Sequence, residues 1–152
     1  SLQVRLENQR KLKSYMSTRP FGGGIGAAGN WGQRFTPNTF LANTPTDSWY
    51  VAIWAEQGVV GLLLHLFILF YIVIKSSYVI MFKIRDDWVR AQMSALVCGM
   101  FGVMAASYGN GILGQMPTGI LIYSGMGFLF LARKFDEEAL AEKEQNKNRL
   151  NR

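Results

Sequence analysis

The chain has 152 residues, a formal net charge of +6 and 49% hydrophobic residues. That length is about one domain. A single cysteine, Cys98, excludes an internal disulfide, and with one His it also excludes a self-sufficient zinc site of the usual ligand types. Four Trp, six Tyr and ten Phe exclude a disordered chain, and charges gathered into 5–34, 75–90 and 133–152 speak against a soluble globule.

Residues 2–16 are predicted to form an amphipathic helix. At ~100° per residue, Leu2, Val4, Leu6, Leu12, Tyr15 and Met16 make a broad apolar arc, with Glu7, Arg10 and Lys11 on the polar side. Arg5 falls inside the arc. Either its stem snorkels along apolar surface, or its planar fork turns inward onto a phosphate. Next comes Gly-Gly-Gly-Ile-Gly-Ala-Ala-Gly at 22–29, in which Gly24, Gly26 and Gly29 match G-x-G-x-x-G. A dinucleotide site needs a strand before that spacing and a helix after it. Arg19-Pro20-Phe21 and Asn30-Trp31-Gly32-Gln33-Arg34 fit neither. Basic residues flank the loop, and its bare backbone is expected to approach a ligand or another segment closely.

Pro45-Thr46-Asp47-Ser48 precedes the first apolar run. Thr46, Asp47 or Ser48 can cap a helix there, or Asp47 can serve as a catalytic base. Trp49, Tyr50 and Trp54 suit an aromatic belt at a membrane surface. Three uncharged or nearly uncharged runs follow, read as transmembrane helices over about 49–74, 89–109 and 114–132. Glu56 and His65 are the only acidic, basic or imidazole groups in the first, and lie about 180° apart around a straight helix. The second carries Ala95 and Gly99, then Gly102 and Ala106, the small-xxx-small spacing of close helix packing. The connection with Lys75, Lys83, Arg85 and Arg90, and the tail at 133–152, set the cytoplasmic side by the positive-inside rule. Residues 1–48 then face outward. The tail mixes both signs and reads as a solvated helix or a disordered end.

The fold class expected is all-α integral membrane: about three transmembrane helices over 49–132, preceded by an amphipathic helix and a Gly-rich loop, and forming one piece of a larger multi-span bundle. Within it, Pro20-Phe21-Gly22-Gly23-Gly24-Ile25-Gly26, Asp47-Ser48-Trp49-Tyr50 and Ala55-Glu56-Gln57-Gly58-Val59-Val60-Gly61 resemble the O-antigen ligase and O-antigen polymerase family of bacterial inner membranes. Arg5-Leu6 ahead of the glycine stretch is similar as well. The resemblance covers about residues 1–75.

It implies a multi-pass glycosyltransferase of lipopolysaccharide or surface-polysaccharide biosynthesis, of which this chain is the C-terminal part. Such enzymes move a glycan from an undecaprenyl diphosphate carrier to lipid A core or to another glycan, at the periplasmic face and without metal or other cofactor. By motif match Arg5 contacts the diphosphate, with Arg19 and Arg34 as further cations. Aligned on Glu56, Gly58 and Gly61, Asp47 stands where ligases carry a His, which makes a polymerase or a divergent transferase the better fit. Glu56, Gly58, Gly61, Gly24 and Gly26 are expected to support the site. Membrane lipid is an expected partner and nucleic acid is not. The competing readings are a transporter or flippase fragment for lipid-linked sugars, and a non-catalytic membrane scaffold.

Overall fold

The computed structural model describes residues 2–151, with the side chains of Leu2, Val4 and Arg5 outside the described set. The described chain is all helix and loop, without a strand. In order it forms α1 (Leu2–Met16), α2 (Gly29–Phe35), α3 (Trp49–Phe82), α4 (Asp87–Ala106), a 3-10 turn (Ile112–Gly114), α5 (Thr118–Phe130) and α6 (Ala132–Leu150). α3, whose 34 residues include a break at Gly58, and α4, with 20, are long and apolar enough to cross a membrane. Leu63, Leu64, Phe67 and Ile68 on α3 are exposed, where the core helix of a soluble protein would bury them.

Two helices, rather than the three expected, reach spanning length. α5 has 13 residues, about 20 Å at 1.5 Å per residue, against a hydrocarbon core of ~30 Å. The run at 114–132 falls short because the 3-10 turn and Pro117 consume its start and α6 begins at Ala132. The connection after α3 is also shorter than expected. Lys75 lies on α3 and Arg90 on α4, leaving Lys83 and Arg85 in the link itself. Lys75 Nζ sits 5.4 Å from the Tyr71 ring centre and 5.2 Å from that of Phe130, so two aromatic faces receive its charge.

The chain forms two compact units. The first holds the residues up to Ile68 together with Ala105–Gln115, and the second holds Leu69–Met104 and the chain from Met116 onward. In the first unit Leu12, Met16, Ala28, Leu41 and Ala55 make the core, with Tyr15, Val51 and Trp54 packed on it. Leu12 and Met16, four apart on one face of α1, are buried, whereas Leu6 of the same arc is half exposed.

α3 is broken. Gly58 has φ 70° and ψ −171°, a conformation essentially confined to glycine. A straight helix would set Trp49 and His65 about 24 Å apart, yet their ring centres are 6.4 Å apart and Trp49 Nε1 donates to His65 Nε2 at 3.3 Å. The chain therefore reverses at Gly58, and the segment 49–57 folds back beside the start of the helix that continues to Phe82. Glu56 and His65 consequently do not share the single straight helix on which their 180° separation was reckoned.

In the second unit α4 buries Val89, Met93, Val97, Met100 and Met104, one stripe at helical spacing. Close packing through Gly99 and Gly102 was expected from their small-residue spacing. Both face open space among the described residues, with no helix of this chain packed on them. The close approach of a glycine occurs on α5, where Gly125 meets the Leu96 side chain. The tail, read as a solvated helix or a disordered end, is the helix α6, largely exposed, with Asp136 on it buried.

Candidate functional site

The glycine loop and the break in α3 are one structure. Reversal at Gly58 ends one helical segment and starts another, so carbonyls on one side and amides on the other lose their in-helix partners. The loop supplies replacements. Gly23 N donates to Ala55 O at 2.9 Å, Gly24 N donates to Glu56 O at 2.9 Å, and Val60 N donates to Pro20 O at 3.4 Å. Backbones this close leave no room for side chains. A Cβ on Gly22 would strike Glu56 O and Gly58 N, and one on Gly58 would strike Pro20 O and Gly22 N. In an apolar surrounding a broken helix stands only if its freed groups are satisfied, and the loop satisfies them.

Glu56 closes the same arrangement with its side chain. Its Oε1 accepts from Ala28 N at 3.3 Å, at the head of α2. The helix α1, and not a strand, precedes the glycine spacing. A helix does follow it, against expectation, because α2 begins at Gly29. Gly24 and Gly26 carry positive φ at 104° and 77°, so the turn itself calls for them. Gly61 lies beyond the break, where a Cβ would press on the Gln57 side chain.

Asp47 is exposed and lines a cavity of about 310 Å³. Chain-distant segments build it: Asn8 and Gln9 from α1, Asp47, Tyr50 and Trp54 around the start of α3, and Tyr108 after α4. The start of α3 is stitched in place. Trp49 N donates to Ser107 O and to Asn110 O, at 3.3 and 3.0 Å, and Ser48 Oγ donates to Ser107 O at 3.3 Å. Ser107 Oγ in turn accepts from Leu113 N. Gly114 lies against the Trp49 ring, which occupies the place a Cβ would take. The sequence did not single out Asn8, Gln9 or Tyr108. They are polar or aromatic residues without motif spacing, and only the fold gathers them.

Of the cations singled out in the sequence, Arg19 and Arg34 lie elsewhere. The Arg5 side chain is outside the described residues; on α1 its position is one turn before Asn8 and Gln9. Arg19 stands 4.1 Å over the Tyr15 ring and donates to the Tyr15 hydroxyl. Tyr15 in turn stacks on Phe40. Arg34 lies 5.6 Å from the Phe35 ring centre, next to the Trp31–Phe35 stack. Neither Arg19 nor Arg34 lines the Asp47 cavity. Among the described residues, no three His, Cys, Asp or Glu side chains gather as a metal ion would require.

The chain matches no protein-family model, no curated protein and no solved structure.

Proposed function

We propose that the chain is the C-terminal part of a polysaccharide ligase- or polymerase-type glycosyltransferase of a bacterial inner membrane. In this reading residues 1–48 are periplasmic and the tail at 133–152 is cytoplasmic. The observation that supports it is the Asp47 cavity. Amide, hydroxyl and carboxylate groups from Asn8, Gln9, Tyr50 and Asp47 combine there with the Trp54 ring, a lining suited to a sugar, which needs several hydrogen bonds and an apolar face. The motif that carries the family resemblance, from Asp47 to Gly61, supplies one wall and the loop-capped break behind it.

In the proposed reaction the acceptor hydroxyl oxygen attacks the anomeric carbon of the donor glycan. The bond from that carbon to the diphosphate oxygen breaks, and its electron pair leaves with the undecaprenyl diphosphate. Asp47 takes the proton from the attacking hydroxyl. Arg5, one turn before Asn8 and Gln9, meets the negative charge that develops on the leaving diphosphate, where a fixed cation favours the transition state over the ground state. Arg19 and Arg34, stacked on rings outside the cavity, are assigned to the carrier's approach.

The test is transfer by the purified full-length protein, in detergent and without a gradient, from lipid-linked glycan to acceptor. Product formation by wild type and none by Asp47→Asn is the expected result. Binding of the lipid-linked donor without product, in wild type, would replace the enzyme with a carrier for lipid-linked sugars.

A further inference from the structure

The second unit holds a concavity of about 440 Å³ that the proposed transfer reaction does not use. It lies where the apolar helices end. Lys83 and Arg85 reach it from the link between α3 and α4, and Arg133 from the first turn of α6. Two carboxylates also line it, Asp136 and Glu137. Asp136 is committed elsewhere: its Oδ1 accepts from Arg85 N at 3.0 Å and from Asp86 N at 2.7 Å. Among the described residues, the side chains of Lys83, Arg85 and Arg133 have no ion pair or hydrogen bond. Three cations thus converge on one hollow with Glu137 as the single uncommitted acid.

The positive-inside rule accounts for the sign of these charges. It does not require that they meet in one concavity, where three cations outnumber the carboxylates of Asp136 and Glu137 and the surplus like charge is unfavourable. An anion held there removes that cost. The rim of the hollow indicates what the anion is attached to. Phe82 and Leu140 line it, and Met81, Phe130 and Leu131, adjoining in sequence, are exposed and apolar. A free anion has no use for that surface, whereas a lipid brings acyl chains to it.

We infer that the hollow formed by Lys83, Arg85 and Arg133 is a binding site for the phosphodiester headgroup of an anionic membrane lipid. The guanidiniums of Arg85 and Arg133 suit bidentate contact with phosphate oxygens, and Lys83 adds a point charge. The apolar rim takes the first part of the acyl chains.

The experiment uses the full-length protein in nanodiscs of phosphatidylcholine containing a minor share of phosphatidylglycerol, with retained lipid counted by native mass spectrometry. Wild type is expected to retain phosphatidylglycerol in preference to phosphatidylcholine. The combined Lys83→Gln, Arg85→Gln, Arg133→Gln variant should lose that preference by about tenfold or more, since each of the three cations attracts an anionic headgroup at the lipid surface. Arg133→Gln alone should lose part of it, which keeps the test decisive if the triple variant does not fold. Lys134→Gln is the control, because Lys134 pairs with Glu138 and does not line the hollow. Equal retention by wild type and by the Arg133 and triple variants, or an equal loss in the Lys134 variant, would overturn the site. Displacement of the lipid by inorganic phosphate at matched concentration would overturn the lipid assignment in favour of a free anion.

Discussion

Gly22 and Gly58 meet backbone to backbone, so that a methyl group on either would overlap the amide nitrogen of the other. One residue lies in a loop and the other in the break of a helix, 36 positions later in the chain. Because each fills the space a side chain would need, the two positions are expected to respond to mutation as a pair.

Gly58→Ala and Gly22→Ala should each destabilise the protein by about 3 kcal/mol or more, from positive-φ strain plus overlap with backbone that no rotamer relieves. Gly24→Ala has strain alone, since nothing lies within 4 Å of its added Cβ, and should cost about 1–2 kcal/mol. Thermal unfolding of the detergent-solubilised protein gives the order. A Gly24 variant less stable than the Gly58 variant would contradict the docked-loop geometry.

Asp47→Asn and Arg5→Gln should lower glycan transfer by about 100-fold or more, the usual scale for a lost proton acceptor or transition-state donor, with normal membrane insertion. Arg19→Ala and Arg34→Ala should lose less than about tenfold and act mainly on KM, because neither lines the Asp47 cavity. A loss at Arg34 as deep as at Arg5 would move the diphosphate to α2, beside the Trp31–Phe35 stack.

Glu56→Gln keeps a side-chain oxygen for Ala28 N and should fold and work nearly as wild type. Glu56→Ala leaves that amide without its acceptor and should cost about 1–2 kcal/mol. Equal behaviour of the two variants in unfolding would show that the carboxylate does not anchor α2.

Asp86, in the α3–α4 link, ties two helices together. Its Oδ1 accepts from Trp88 N and Val89 N, capping α4, and its Oδ2 pairs with Lys143 of α6. The Lys143 hydrogen bond, with the backbone amides, holds the carboxyl below its ordinary value of 3.8. A carboxyl lowered in the folded state contributes stability above its unfolded pKa and loses it as pH falls through the folded one. Lys143 is raised above 10.5 by the same pair, so its contribution is present below 10.5 and fades only as pH rises beyond its folded value. The stability gap between wild type and Asp86→Asn should therefore be full at neutral pH and close as pH falls below about 3.8. Melting curves from pH 7 to pH 3 check this. A constant gap would mean that the charge plays no part.

What was legible in the sequence was local. The helix α1 and the burial of Leu12 and Met16 on one face of it follow from spacing, though Leu6 of the same arc is half exposed, and the apolar runs give α3 and α4 because hydropathy needs no knowledge of partners. The reversal at Gly58 was not legible. Glycines are common in membrane helices, and what makes this one a break is Pro20 and Gly22, more than 30 residues away. The same distance hid the Asp47 cavity, whose walls come from α1, from the start of α3 and from Tyr108. The tail was legible as a solvated helix, and α6 is a largely exposed one, but its tether was not. Mixed charges read as solvated, but Asp136 finds two backbone amides that only the fold brings to it.

Those two amides carry a practical consequence for anyone handling the gene. A reporter fused after Leu150 leaves the Asp136 contacts to Arg85 N and Asp86 N intact. A stop codon placed ahead of Ala132 would strip the α3–α4 link of its acceptor as well as removing a helix, so such a truncation is expected to accumulate poorly rather than to report on the tail alone.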